Sequence, residues 1–325
     1  MDSEHLERLF LAVTERSIEL HSVLIVRHGY IVTEAYFPPY EQDTKHDVWS
    51  VTKSFVSALV GIAIEKGYID GVTQPVLDFF PDRAVANRDS RKEAMTLEHL
   101  LTMTSGLDWS DGTQVQQMMW SRDWVQFILD RPMAAEPGTQ LNYNSGNTHL
   151  LSAILQQATG MSALDFTREH LFEPLGISVV TWESDPDGIS IGGWGIQMTP
   201  RDMARFGYLY SNDGVWDGQQ VVPAGWVRAS VEEHVEIEEP IEPWGLHIGY
   251  GWWVHQIGAY AAHGRGGQFI YVIPHLDMVV VFTSGIEDPE DSGFVKPELL
   301  VRDFIMPAAI SSEPLPDSPD SPAVN

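Results

Sequence analysis

Val48-Trp49-Ser50-Val51-Thr52-Lys53-Ser54-Phe55 places a serine three residues before a lysine, where an apolar periodic run begins. Phe55, Val56, Leu59, Val60, Ala63 and Ile64 recur at helical spacing, so the pattern predicts a helix from about Ser50 to Lys66, stopped by Gly67. Positions three apart share one face of a helix, which lets Ser50 Oγ and Lys53 Nζ meet in one pocket. The serine would stand at the helix N-terminus, where free N–H groups and the macrodipole favour developing negative charge. A lysine held neutral there by that field and by burial can take the serine's proton, which makes the serine a nucleophile. The bare Ser-x-x-Lys pattern is weak. With 24 serines and 5 lysines in 325 residues, chance gives about 0.4 matches. The plain alternative is an N-cap serine beside a solvated lysine, so the rest of the chain decides.

On the N-terminal side, residues 3–18 form an amphipathic helix pattern, with Leu6, Phe10, Leu11 and Val13 against Glu4, Glu7, Arg8 and Glu15. Ser22–Arg27 and Ile31–Phe37 read as two strands joined at His28-Gly29, and Pro38-Pro39 ends the second. On the C-terminal side the pattern is mostly helical from about 95 to 225: Thr96–Met103, Asp123–Leu129, Ser145–Thr159, Ser162–Leu171, and a helix from Thr199 as cap with Pro200 in its first turn. Strands return from about 247. Tyr250–Val254 is one, and Gln268–Pro274 with Met278–Thr283 form a hairpin. Residues 294–308 read as a closing helix. The Ser- and Pro-rich segment 311–325 reads as a disordered tail. Strands at both ends of a helical middle give an α/β (α+β) fold, an antiparallel sheet flanked by helices with a large, mostly helical insertion. Residues 1–85 and 225–310 would make the sheet lobe and 86–224 the helical lobe, with the Ser50 helix at their junction, where clefts form.

Composition narrows the function classes. A chain of 325 residues, 43% apolar and 10% aromatic, can bury a large core. Its formal net charge of −27 argues against nucleic acid and against anionic membrane, both of which need a basic surface. The absence of cysteine excludes disulfides and thiolate chemistry. The acidic start Met1–His5 does not resemble a signal peptide, and no apolar run approaches the roughly 18 residues of a membrane span. A cytoplasmic protein is the expectation.

Two further stretches carry chemistry. Gln140-Leu141-Asn142-Tyr143-Asn144-Ser145-Gly146-Asn147 sets a tyrosine beside short polar side chains just before a helix. The Tyr143 phenol can exchange a proton, and Asn144 and Ser145 can orient a lysine or a substrate carbonyl. Ala261-Ala262-His263-Gly264-Arg265-Gly266-Gly267-Gln268 leads into the strand hairpin, and glycines there allow close approach and offer N–H donors for an oxyanion. Each stretch alone has a plain structural reading, as a loop tyrosine and as a Gly-rich turn.

Together, in this order, the three stretches resemble the serine β-lactamase-like superfamily, in the branch of class C β-lactamases, DD-peptidases, family VIII esterases and 6-aminohexanoate-dimer hydrolases. Ser-x-x-Lys is a known signature of penicillin-binding proteins and class A β-lactamases. His99–Leu107, Glu136-Pro137-Gly138-Thr139 and Met198–Phe206 resemble supporting segments of that superfamily, and the likeness spans about residues 20–308. The resemblance implies a β-lactamase/transpeptidase-like fold, with Ser50 as the acylated nucleophile, Lys53 as its base partner and Tyr143 as the proton shuttle. The oxyanion hole would combine the Ser50 N–H with one from Gly264, Arg265 or Gly266.

Two departures stand out. The family's Asn two residues after Tyr is Ser145 here, and its Lys-Thr-Gly aligns with Ala262-His263-Gly264, without the lysine that helps hold a β-lactam or peptide carboxylate. His263 is a candidate substrate-pocket residue that could partly replace that lysine, although a plain strand residue is the preferred reading, and Arg265 is a candidate carboxylate binder. Trp109, Trp120 and Trp194 are candidates to line an apolar acyl pocket. Twelve histidines show no metal-binding spacing, so neither metal nor cofactor is expected. The expected activity is hydrolysis of a small-molecule ester or linear amide through an acyl-enzyme on Ser50. The alternatives are a β-lactamase or DD-peptidase, and a catalytically silent binding or regulatory relative. A homodimer through Trp-rich segments remains open.

Overall fold

The computed structural model describes residues 1–178, 180–237, 246–286 and 295–310. The tail expected to be disordered, 311–325, lies outside the described residues. Helix α1 (Ser3–Glu15) is followed by strands β1 (Leu20–Arg27) and β2 (Tyr30–Tyr36), and then by helix α2 (Thr52–Glu65), which carries Lys53. The helical middle contains α3 (Leu97–Leu101), α4 (Asp111–Trp120), α5 (Trp124–Leu129), α6 (Ser145–Thr159) and α7 (Pro200–Ser211). The chain then returns as β3 (Val235–Glu236), β4 (Leu246–Ile248), β5 (Trp253–His255), β6 (Ala259–Gly264), β7 (Gln268–Ile273) and β8 (Met278–Ser284), and closes on helix α8 (Val295–Leu300) and the turns that extend it to Ile310.

These eight strands form one sheet in the order β2-β1-β8-β7-β6-β5-β4-β3, antiparallel at every pair. The first and last parts of the sequence meet where β1 pairs with β8, Ile25 opposite Val280. The expected α+β class, an antiparallel sheet with a helical insertion, is the observed one.

The sheet is buried on both faces, which explains why Met278–Val281 and Phe269–Ile273 read as unbroken apolar runs rather than alternating ones. Alternate residues serve two cores. Ala262, Ile270, Val272, Val279 and Val281 face the core shared with α2 and α7. Ala261, Phe269, Tyr271, Val280 and Phe282 face the core closed by Leu9 and Val13 of α1 and by Leu300, Val301 and Ile305 near the C-terminus. Helix α2 lies inside the molecule: every residue from Thr52 to Ala63 is buried, including Lys53 and Ser57. A helix apolar nearly all round belongs in such a place.

Local capping follows the sequence. Thr199 Oγ1 accepts from the Asp202 N–H at 3.2 Å at the start of α7, with Pro200 in the first turn. Asn144 Oδ1 accepts from the Asn147 N–H at 3.2 Å at the start of α6, which ends on left-handed Gly160. One expected strand is displaced. Tyr250–Trp252 form a turn rather than strand, because Gly251 takes φ +74°, and β5 begins only at Trp253. Among the described residues no helix is long and apolar enough to cross a membrane.

The segment delivering Ser50 passes through a short antiparallel sheet in which His46 pairs with Met198. His46 is buried beside Tyr40 and His21, whose rings stack 3.7 Å apart. Burial, with the neighbouring His21, pulls the His46 pKa down to about 4. Between about pH 4 and 6.5 the folded protein therefore binds fewer protons at His46 than the unfolded chain. Stability at this site is fully present above pH 6.5 and is lost as pH falls through the folded value. His46→Gln is expected to flatten the acid limb of Tm against pH by about 2–4 °C relative to wild type. Parallel acid limbs would refute the assignment.

Candidate active site

A sharp turn sets Ser50. Val48 N–H donates to Ile196 O at 2.9 Å, and Trp49 N–H donates to Asp47 Oδ1 at 2.9 Å. Trp49 itself has φ +48°, a left-handed conformation that bulky residues rarely adopt. The next residues form one 3-10 turn, Trp49–Val51, and α2 proper starts at Thr52. The expected single helix from Ser50 thus begins with a tighter turn. Lys53 is still three residues along the same face, and its Nζ donates to Ser50 Oγ at 2.8 Å. Lys53 is buried, 4% exposed, and its second acceptor is the Gly193 carbonyl at 2.8 Å.

The Gly193 carbonyl is fixed from below. His149 on α6 lies 3.1 Å from Asp185 through Nε2, and its Nδ1 accepts from the Gly192 N–H at 3.4 Å. Ser152 Oγ donates to Ser190 O at 2.6 Å. These buried contacts bolt the 185–193 loop onto α6. The approach is so close that a Cβ on Gly192 would fall 1.9 Å from Thr148 O, which only glycine permits.

Tyr143 reaches the same point. Lys53 Nζ lies 4.9 Å from the centroid of its ring. Tyr143 stacks on Trp253 at 6.1 Å and 24°, and Trp253 stacks on His263 at 5.4 Å and 15°. Ser50, Lys53, Leu101, Met103, Tyr143, Ile248, Gly251, Trp252, Trp253 and His263 line one cleft. Its far wall is locked to α2 by Ser54 Oγ, which donates to Gly251 O at 2.6 Å. Gly264 of β6 lies against the Ser50 turn: a Cβ there would sit 2.2 Å from Val48 O.

The remaining expected residues lie elsewhere. Asn144 is fully buried and caps α6. Ser145 does not reach Lys53. Its Oγ donates to Asp111 Oδ2 at 2.6 Å and its N–H donates to Asp111 Oδ1 at 2.8 Å. Trp109 is buried, donates from Nε1 to the same Asp111 at 2.6 Å, and packs edge-on to Phe127. Trp120 is 75% exposed at the end of α4, and Trp194 packs on Trp124. The pocket tryptophans are instead Trp252 and Trp253, which arrive with the Gly251 turn. Exposed Arg265 lies with its guanidinium 5.5 Å over the Trp49 ring. His263 is a strand residue, as expected, and also a cleft residue.

Asp111 is the residue that sequence reading missed. Its one signal is Ser110-Asp111-Gly112-Thr113, a helix-start pattern in a stretch between the expected helices Thr96–Met103 and Asp123–Leu129. Its carboxylate gathers three donors from Trp109 and Ser145, so Asp111→Ala should leave these polar groups without it and cost about 2–3 kcal/mol of stability. Tyr143 lies two residues from Ser145, and kcat should fall about tenfold with it. Urea unfolding read beside steady-state turnover checks both, and an unchanged midpoint would refute the anchoring role.

The chain matches the profile described as Beta-lactamase over residues 7–302. It belongs to the beta-lactamase family. This is a β-lactamase-fold family of serine hydrolases. The 6-aminohexanoate-dimer hydrolase of Paenarthrobacter ureafaciens is 27% identical over 289 residues, which is 82% of this chain and 73% of that enzyme. Among solved structures, the hydrolase EstCE1, described as having promiscuous acyltransferase activity, superposes with a TM-score of 0.77 at 17% identity, covering 93% of this chain and 98% of EstCE1. A family VIII carboxylesterase superposes with a TM-score of 0.73 at 16% identity, covering 93% of this chain and 96% of that enzyme. The two structural likenesses speak to the fold of this family member alone.

Proposed function

We propose that this beta-lactamase family member hydrolyses a small, uncharged ester or linear amide through an acyl-enzyme on Ser50. The observation carrying the reading is the 2.8 Å contact between Lys53 Nζ and Ser50 Oγ inside a cleft that also holds the Tyr143 ring. Lys53 Nζ takes the hydroxyl proton as Ser50 Oγ bonds to the substrate carbonyl carbon. The Ser50 N–H and an N–H of the Gly264–Gly266 segment hold the resulting oxyanion. The carbon–oxygen or carbon–nitrogen bond then breaks, and Tyr143 passes a proton to the leaving group. Water attacks the Ser50 ester, gives its proton back through the same groups, and the acid leaves.

Lining chemistry supports an apolar acyl group: Leu101, Met103, Ile248, Trp252 and Trp253 surround the nucleophile. The position aligned with the family's Lys-Thr-Gly lysine is Ala262, buried in the core, so no cation stands there for a β-lactam or peptide carboxylate. This favours the ester or amide reading over the β-lactamase reading.

The test is intact mass after exposure to a fluorophosphonate probe, with turnover of p-nitrophenyl butyrate, a short linear anilide and nitrocefin measured in parallel. One adduct and ester or anilide turnover are expected. Nitrocefin as the best substrate would overturn the substrate class. Folded protein that takes no adduct would overturn hydrolysis and point to a silent relative.

A further inference from the structure

Behind the cleft wall, three buried groups converge from three separate elements. His255 lies on β5, His263 on the adjoining β6, and Glu298 on α8. All three side chains are at most 4% exposed. Glu298 Oε1 is 3.8 Å from His255 Nε2 and 3.5 Å from His263 Nε2, and one ligand atom from each residue lies within 4.8 Å of both others. Those two separations exceed the 2.7–3.2 Å usual for an N–H···O hydrogen bond, so neither contact is a direct one. They are close to the spacing of ligand atoms that share an ion. With bonds of 2.0–2.1 Å in tetrahedral geometry, neighbouring ligand atoms stand about 3.3 Å apart. Two imidazole nitrogens and one carboxylate oxygen form a donor set suited to zinc and the related late divalent metals.

We propose that His255, His263 and Glu298 bind one divalent transition-metal ion of the zinc type, as a clip between α8 and the strands behind the cleft. The backbone supports all three donors. Trp253 and His255 share one face of β5, and the antiparallel register sets Trp253 opposite Ala261 and His255 opposite Ala259, so His263 falls on that same face of β6. Glu298 comes down on them from the helical layer that closes the second core. Sub-ångström movements bring the two Glu298 separations to ligand spacing, and the two histidine nitrogens, within 4.8 Å of each other, would close on the ion as it binds. No spacing motif marks this set, because the two histidines belong to a short hairpin and the carboxylate comes from a helix 35 residues later. The clip would bear on the cleft through His263 and through Trp253, which stacks between His263 and Tyr143. It contributes no atom to the Ser50 chemistry, and the proposal stands independently of the hydrolase reading.

The test uses the full untagged chain, stripped with chelator and titrated with ZnCl2 by calorimetry, with CoCl2 as an optical probe and Tm read with and without metal. One equivalent of zinc, a tetrahedral cobalt spectrum and a raised Tm are expected. Glu298→Gln keeps size and hydrogen bonding but removes the anionic ligand. It should weaken zinc binding by at least about 100-fold, more than loss of an outer hydrogen-bond partner usually costs a metal site. His255→Gln should do the same, and either variant suffices once circular dichroism shows that it folds. Absence of zinc binding to wild type would overturn the proposal and leave a buried polar cluster only. Binding that survives in a folded variant would assign the metal to other histidines and also overturn it.

Discussion

Ser50→Ala is expected to abolish the fluorophosphonate adduct, and Lys53→Met to lower kcat/KM for p-nitrophenyl butyrate by about 10⁴-fold or more. The two effects have one cause. Ser50 Oγ has little nucleophilicity until its proton has somewhere to go, and the amine 2.8 Å away is the group in position to take it. Methionine matches lysine closely in length and is at home in a site that is 4% exposed, so Lys53→Met should fold while lacking the base. It also loses the bond to the Gly193 carbonyl, an acceptor that water at the cleft can satisfy. Residues that act as a unit are not additive, and the double variant should be no slower than the worse single one. Steady-state kinetics on all three variants beside intact mass reads this directly. Lys53→Met retaining more than about a tenth of wild-type turnover would mean that the base is elsewhere. An adduct surviving in Ser50→Ala would mean that another serine reacts.

How much of this was legible in the sequence follows the range of the interactions. Ser50 and Lys53 are three residues apart, so helical geometry alone brings them together, and the 3-10 start changes the turn without separating them. The central sheet was legible where its strands are long and buried on both faces, as in β7 and β8. It was illegible where two or three residues pair at an edge, as in β3 and β4, because so short a stretch has no period to read. The cleft walls depend on distant segments. Nothing local in Ser145 says that its hydroxyl goes to Asp111 rather than toward Lys53, or that the Gly193 carbonyl supplies the second acceptor. The tryptophans show the same limit. Trp109, Trp120 and Trp194 are the sequence's candidates for the acyl pocket, yet Trp252 and Trp253 line the cleft, carried in by a glycine turn where the apolar pattern reads as straight strand.

Gly264→Ala is expected to slow fluorophosphonate labelling by about 100-fold and to cost about 1–3 kcal/mol of stability. An added Cβ would lie 2.2 Å from Val48 O, 3.2 Å from Val48 C and 3.0 Å from Gln268 Cβ. Two of these three atoms are backbone, so no side-chain rotation relieves the clash. Val48 is held on its other side by its N–H to Ile196 O at 2.9 Å and by accepting from the Val51 N–H at 3.1 Å. Gly264 is held in β6 by its pairing opposite Gln268. Either the strand retreats from the Ser50 turn or the turn shifts, and both outcomes separate the Ser50 N–H from the Gly264–Gly266 segment. Two donors aimed at one oxyanion lose most of their effect when they no longer converge. Gly225→Ala is the matching control. That glycine lies in the short helix Ala224–Ser230, its added Cβ meets nothing within 4 Å, and alanine there should leave labelling unchanged and raise Tm slightly. Thermal melts and labelling rates on the pair separate a local clash at the nucleophile from a general intolerance of alanine. If Gly264→Ala labels as fast as wild type, the close approach of β6 to Val48 has no part in acylation, and the second oxyanion donor must be sought away from the Gly264–Gly266 segment.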